Sequence, residues 1–219
     1  MKTFLIILIF VSKSFSQTFE VSDVLDFYPL NNGNYWEYKD WTGSVIEPYT
    51  FSYSSVEVLG DTLLSNNINY KMLLKHSITQ NQIISRTFER VDSSTGIVYR
   101  YDFDKNIEFV IDSLLSKTND EFRGSRFGFY DENNFQTVCI SENDDTILDI
   151  TTTIKEFADR SSIFGYRYKL AKGIGLISDN ACEGNCWGKD LIYAKINNYE
   201  FRISKKNSKH CRKFGKRKG

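Results

Sequence analysis

Apolar and polar residues alternate with a period of two through much of the chain, the mark of strands that bury one face and wet the other. In IVYRYDF, residues 97–103, Ile97, Tyr99, Tyr101 and Phe103 share one face, while Arg100 and Asp102 point the other way. In YEFRI, residues 199–203, Tyr199, Phe201 and Ile203 oppose Glu200 and Arg202. Segments of this kind suit an antiparallel sheet with one face on a core. The same reading predicts strands over residues 34–41, 50–59, 69–76, 82–91, 107–113, 135–141, 146–154, 165–170, 175–178 and 191–196. Within 50–59 the alternation changes phase, from Phe51 and Tyr53 to Val56 and Val58, which predicts a β-bulge at Ser54 and Ser55.

The links carry turn chemistry. VDSSTGIVY predicts a hairpin with Gly96 at positive φ, and Asn197-Asn198 predicts a two-residue hairpin turn, because asparagine tolerates the left-handed conformation. Helix signals are scarce. TTTIKEFAD, residues 151–159, is open to a short helix or a strand, and its threonines favour the strand. Residues 116–134 lack clean periodicity and read as a long loop holding a short element. Ten to twelve strands with no proline-rich or glycine/serine-rich linker predict one all-β domain over residues 17–204: a curved antiparallel sheet forming an open barrel or a sandwich.

Composition changes the picture at both ends. MKTFLIILIFVSKSFSQ has a lysine, an apolar run over residues 4–11 and small residues at Ser14 and Ser16. That layout predicts a signal peptide over residues 1–16, since the run is far short of the roughly 20 residues that span a bilayer. The protein is therefore expected to be exported, periplasmic or extracellular, with no membrane span. The net charge is zero, yet residues 205–219 hold eight Lys or Arg and no acid, against 28 acids and 18 bases in residues 17–204. This tail reads as disordered. It could dock on an anionic surface such as polysaccharide or lipopolysaccharide, with nucleic acid the weaker choice, or fold back on the acidic body.

Four cysteines in an exported chain are compatible with disulfides. Cys182 and Cys186 can bridge a tight loop, leaving Cys139 to pair with Cys211. CxxxC with distant His76 or His210 lacks the spacing of a zinc site, and SENDDTILD lacks the central glycine of an EF-hand loop, so no metal is expected. No GxSxG surrounds a serine, and KGIGLI is not followed by a helix, so neither a nucleophile elbow nor a dinucleotide loop is indicated and no cofactor is expected. Its glycines read as points of backbone bending or close approach. Paired acids such as Asp144 and Asp145 read as solvated charge rather than a glycosidase pair.

Aromatic residues make up 15% of the chain, and YPLNNGNYWEYKDW, residues 28–41, concentrates them. Strand alternation puts Trp36 and Tyr38 on one face and Tyr35 and Trp41 on the other. Trp36 and Tyr38 read as core. Tyr35 and Trp41 are the candidate ligand-binding residues, since exposed aromatic rings can stack on sugars.

FYPLNNGNYWEY, YKLAKGIGLI and LIYAKINNYEF together resemble a group of uncharacterised secreted bacterial proteins. Members open with FPL-x-x-G-x-x-W-x-Y, carry a GIGL segment and end in a closing hairpin. They are common in phyla that use type IX export, and many carry a C-terminal sorting domain, where this chain has a basic tail. The resemblance implies an exported β-rich domain and supplies no catalytic residues. The resulting expectation is a non-enzymatic protein that binds a ligand, glycan or apolar, or a partner at the cell envelope. The alternatives are a carrier of an apolar ligand in a barrel cavity and a carbohydrate-active hydrolase.

Overall fold

In the computed structural model, residues 25–44, 46–126, 136–160 and 165–202 are described. The expected signal peptide, the basic tail and Cys211 lie outside them. Thirteen strands form one antiparallel sheet. The first six are β1 (Tyr35–Ser44), β2 (Thr50–Leu63), β3 (Asn69–Ser77), β4 (Gln82–Asp92), β5 (Ile97–Asp102) and β6 (Ile107–Ser113). The others are β7 (Glu121–Arg123), β8 (Gln136–Ile147), β9 (Ile150–Asp159), β10 (Arg167–Ala171), β11 (Gly175–Glu183), β12 (Asn185–Ile196) and β13 (Tyr199–Arg202).

Two meanders make the sheet. β1 to β6 pair with their sequence neighbours, as do β7 to β13, and the long-range pairing of β1 with β12 joins the halves. The free edges, β6 and β7, are consecutive in sequence, so the sheet curls until they approach. Beyond β7 the Ser125 N–H donates to the Val110 carbonyl at 3.2 Å. At Gly124 an added β-carbon would lie 2.5 Å from that same oxygen, so glycine is what allows the approach. The result is a nearly closed barrel, which settles the choice between barrel and sandwich.

The turns follow from local chemistry. Gly33 (φ 81°) and Gly96 (φ 67°) are left-handed, as are both residues of the Asn197-Asn198 turn (φ 51° and 71°). Residues 151–159 are strand, as their threonines favour, and β7 is the short element inside the long loop. Two expectations are corrected. Residues 146–154 are not one strand, because Leu148 and Asp149 adopt positive φ and turn the chain between β8 and β9. The bulge in β2 falls between Val58 and Gly60, not at Ser54 and Ser55, which pair in register with both neighbours. The phase change has another cause: Phe51 and Tyr53 lie on the outer face, while Ser54 faces inward with Val56 and Val58.

The core fills the barrel in two adjoining clusters, one around Phe157, Tyr168 and Ile111, the other around Trp36, Tyr38 and Val58. Phe27 and Tyr28, in the segment before β1, belong to the first cluster. This segment is tied down by the Gly173 N–H to the Asp26 carbonyl at 2.7 Å and by the Asn34 amide to the Pro29 carbonyl at 3.0 Å.

Candidate functional site

Inward-facing residues of β1 to β5, β11 and β12 surround a cavity of about 130 Å³, with Tyr28, Pro29 and Leu30 at one end. Trp36 and Tyr38, 5% and 3% exposed, supply aromatic wall, as their positions in the alternation require. Their polar tips are spoken for: the Trp36 indole N–H donates to the Ile174 carbonyl at 2.6 Å and the Tyr38 hydroxyl to the Leu176 carbonyl at 2.9 Å. Val56 and Leu73 extend the apolar wall.

The rest of the lining is charged. Glu89 on β4 pairs in register with Arg100 on β5, and their side chains meet inside the barrel at 2.8 Å. Tyr28 donates its hydroxyl to the same carboxylate. Burial opposes ionisation of Glu89, but Arg100, Arg126 and the Tyr28 hydrogen bond outweigh it and hold the carboxyl below its ordinary range. Arg126 pairs with Asp112, a fully buried carboxylate on β6. Burial pushes that carboxyl upward, and Arg126 works against the rise. The guanidinium also lies 4.9 Å from the centre of the Tyr28 ring. Lys189 on β12 is 3.1 Å from Asp179 on β11 and sits over the Tyr38 ring.

Lys75 on β3 differs. It lines the cavity, yet no carboxylate among the described residues lies within 4.0 Å of its ammonium. Burial and then the positive charge of Lys189 lower its pKa, against an opposing pull from Asp40 and Asp179. The cavity therefore has four cations in its lining, three of them matched by a carboxylate.

A second cavity, about 370 Å³, lies on the other side of Tyr28, Pro29 and Leu30, which line both. Its cations are satisfied within the protein, Lys71 by Asp61 at 2.8 Å and Arg90 by Glu108 at 2.8 Å.

Tyr35 and Trp41 are half-buried on the outer face of β1. The Tyr35 hydroxyl donates to Glu37 at 3.1 Å, and its ring meets Tyr193 edge-on at 6.1 Å between centres. Trp41 meets Tyr49 edge-on at 5.6 Å between ring centres. Six strand positions, about 20 Å at 3.3 Å each, separate the two residues, so they do not converge on one site. Cys182 and Cys186 form a disulfide at the tip of the β11–β12 hairpin. Cys139 is buried and bonded to no other cysteine among the described residues, and its expected partner Cys211 lies outside them.

Glu89, Arg100, Arg126, Asp112 and Lys75 were not singled out by the sequence. In residues 97–103 the aromatic face is the outer one: Val98 and Arg100 face the lumen, and Phe103 is 57% exposed. The usable signal was the cross-strand match of Glu89 with Arg100, which emerges only once the β4–β5 register is known.

Comparison with protein-family models gives no match, and comparison with curated proteins gives none. Among solved structures, the chain is similar to a candidate lipoprotein from Parabacteroides distasonis, with a TM-score of 0.40 and 11% identity over 75% of this chain and 96% of that one. A likeness at this level carries no argument about function.

Proposed function

We propose that the protein is an exported, non-catalytic barrel that holds a small molecule in its lumen at the cell envelope. The observation that carries this reading is the lumen cavity itself, which sets Lys75, a lining cation with no carboxylate partner among the described residues, beside the apolar Trp36, Val56 and Leu73. Ligand sites combine such apolar walls with a few placed polar groups. The leader-like N-terminal pattern and the Cys182–Cys186 bridge support export.

Volume narrows the carrier reading. An apolar cavity of about 150 Å³ holds a benzene molecule, so about 130 Å³ suits a ligand of roughly six heavy atoms rather than a long acyl chain. The test is ligand-observed NMR with a library of small fragments, run against the wild type and against Thr87→Phe, which fills the lumen from β4. Fragments of this size are expected to bind the wild type and to lose the filled variant, and palmitate is expected to bind neither. Binding unaffected by Thr87→Phe would remove the lumen reading and return attention to the outer face at Tyr35 and Trp41.

A further inference from the structure

The charges inside the barrel are arranged as matched pairs with two remainders among the described residues, Lys75 in the cavity lining and Asp40 on β1, whose buried Oδ2 has no hydrogen-bond partner. Arg100 has Glu89, Arg126 has Asp112 and Lys189 has Asp179. Glu89, the carboxylate in the cavity lining, is already engaged by Arg100 and Tyr28 and has little left to offer a cationic ligand. Lys75 faces the cavity from β3 with its ammonium uncommitted. Asp40 and Asp179 act on it from β1 and β11, but neither lies within ion-pair distance.

An ammonium partly removed from water gains when a counter-charge arrives, and the gain is larger in a low-dielectric lumen than at the surface. A matching ligand needs an anionic group for Lys75 and an apolar body for the wall beside it. Trp36, Val56 and Leu73 form that wall. Val56 pairs in register with both Trp36 on β1 and Lys75 on β3, so the wall and the cation sit at one level of the barrel.

We infer that the lumen ligand is a small carboxylate monoanion of about six heavy atoms, its head group on the Lys75 ammonium and its short apolar body against Trp36, Val56 and Leu73. The inference rests on the lumen-binding reading and adds the ligand's charge and orientation. A single carboxylate matches the single unmatched cation. A dianion would carry one charge too many into a pocket whose other cations are already neutralised, since the Ser85 and Thr87 hydroxyls beside Lys75 and Leu73 can donate hydrogen bonds but supply no positive charge.

The experiment is an NMR titration of the full-length mature protein with butyrate, 1-butanol and butylammonium, which share a four-carbon body and differ in charge. The Trp36 indole N–H and the Leu73 amide report the lumen. Butyrate is expected to bind at least tenfold more tightly than butanol, and butylammonium more weakly than either. Lys75→Met keeps the side-chain stem, and it is expected to erase the butyrate advantage while leaving butanol binding in place. Equal or tighter binding of butylammonium would overturn the inference, as would an advantage that survives in Lys75→Met. If butanol binds and butyrate is no better, only the charge assignment fails. If none of the three shifts the lumen signals, the lumen-binding reading fails with it. The wild-type comparison stands without any variant, so it holds even if Lys75→Met does not fold.

Discussion

The six-membered ring of Trp41 lies directly over Gly188, its cross-strand partner on β12, where an added β-carbon would sit 2.5 Å from the ring and 2.6 Å from the Asp179 carbonyl oxygen. The aromatic ring covers a strand position that has no side chain of its own. Alanine in a strand is ordinarily better than glycine by about 0.5–1 kcal/mol. Here the sign reverses, because overpacking costs about 1–3 kcal/mol. Gly188→Ala is expected to lower the unfolding free energy by about that amount in urea denaturation. Adding Trp41→Ala should relieve the ring clash and leave the clash with the Asp179 backbone.

Glu89 gives the barrel an acid limit. Its carboxyl is held below the ordinary value in the fold, so the unfolded chain binds the proton first as pH falls. The stabilisation is present above the ordinary glutamate value, about 4.3. It is lost as pH falls through the depressed one. Glu89→Gln leaves Arg100 and Arg126 with less counter-charge inside the barrel, and breaking one partner of a buried pair costs about 3–5 kcal/mol. The variant is expected to be less stable at neutral pH, with a flatter acid limb in denaturant melts recorded from pH 7 to pH 3.

Strand positions were legible because the period of two survives even where the inside is charged: β6 falls on the expected residues 107–113, and β3 and β4 are each one residue longer than expected. Trp36 and Tyr38 were legible as core because both flanking strands keep β1 buried on one side. The orientation of β5 was not legible. Alternation fixes which residues share a face and says nothing about which face is inside, and hydrophobicity alone would turn the aromatic side of residues 97–103 inward. What reverses it is the pairing of Arg100 with Glu89 and the second layer outside, where Tyr101 packs against Tyr70 and Phe103. The same limit hid the cavity, whose charged residues come from strands that meet only through the barrel's curvature.

Lys155 fastens the seam. Its buried ammonium donates to the Leu114 and Ser116 carbonyls at 2.7 and 2.8 Å, tying the link between β6 and β7 to β9. Lys155→Met leaves two carbonyls without a donor, a loss of about 1–3 kcal/mol. Amide exchange over residues 114–120 should speed up by more than in the rest of the sheet. Burial lowers the lysine's pKa, and Lys117 adds to the shift against the pull of Glu142. Between the lowered value and the ordinary one the unfolded chain binds more protons, so wild-type stability should rise with pH across that alkaline window relative to the variant.

The cysteines separate a local clamp from an inert thiol. The Cys182–Cys186 bridge joins residues only four apart that are already cross-strand partners, and chain entropy credits so short a loop with about 2 kcal/mol at most. Replacing both by serine is expected to cost no more than that and to leave the fold intact. Cys139, 0% exposed between β7 and β9, has its thiol pushed up by burial, with Lys155 opposing, and the thiolate is the reactive form. Iodoacetamide at neutral pH, read by peptide mass spectrometry, should label Cys139 only after denaturant is added. A peptide linking Cys139 to Cys211 would overturn that expectation and put the base of the basic tail against β8.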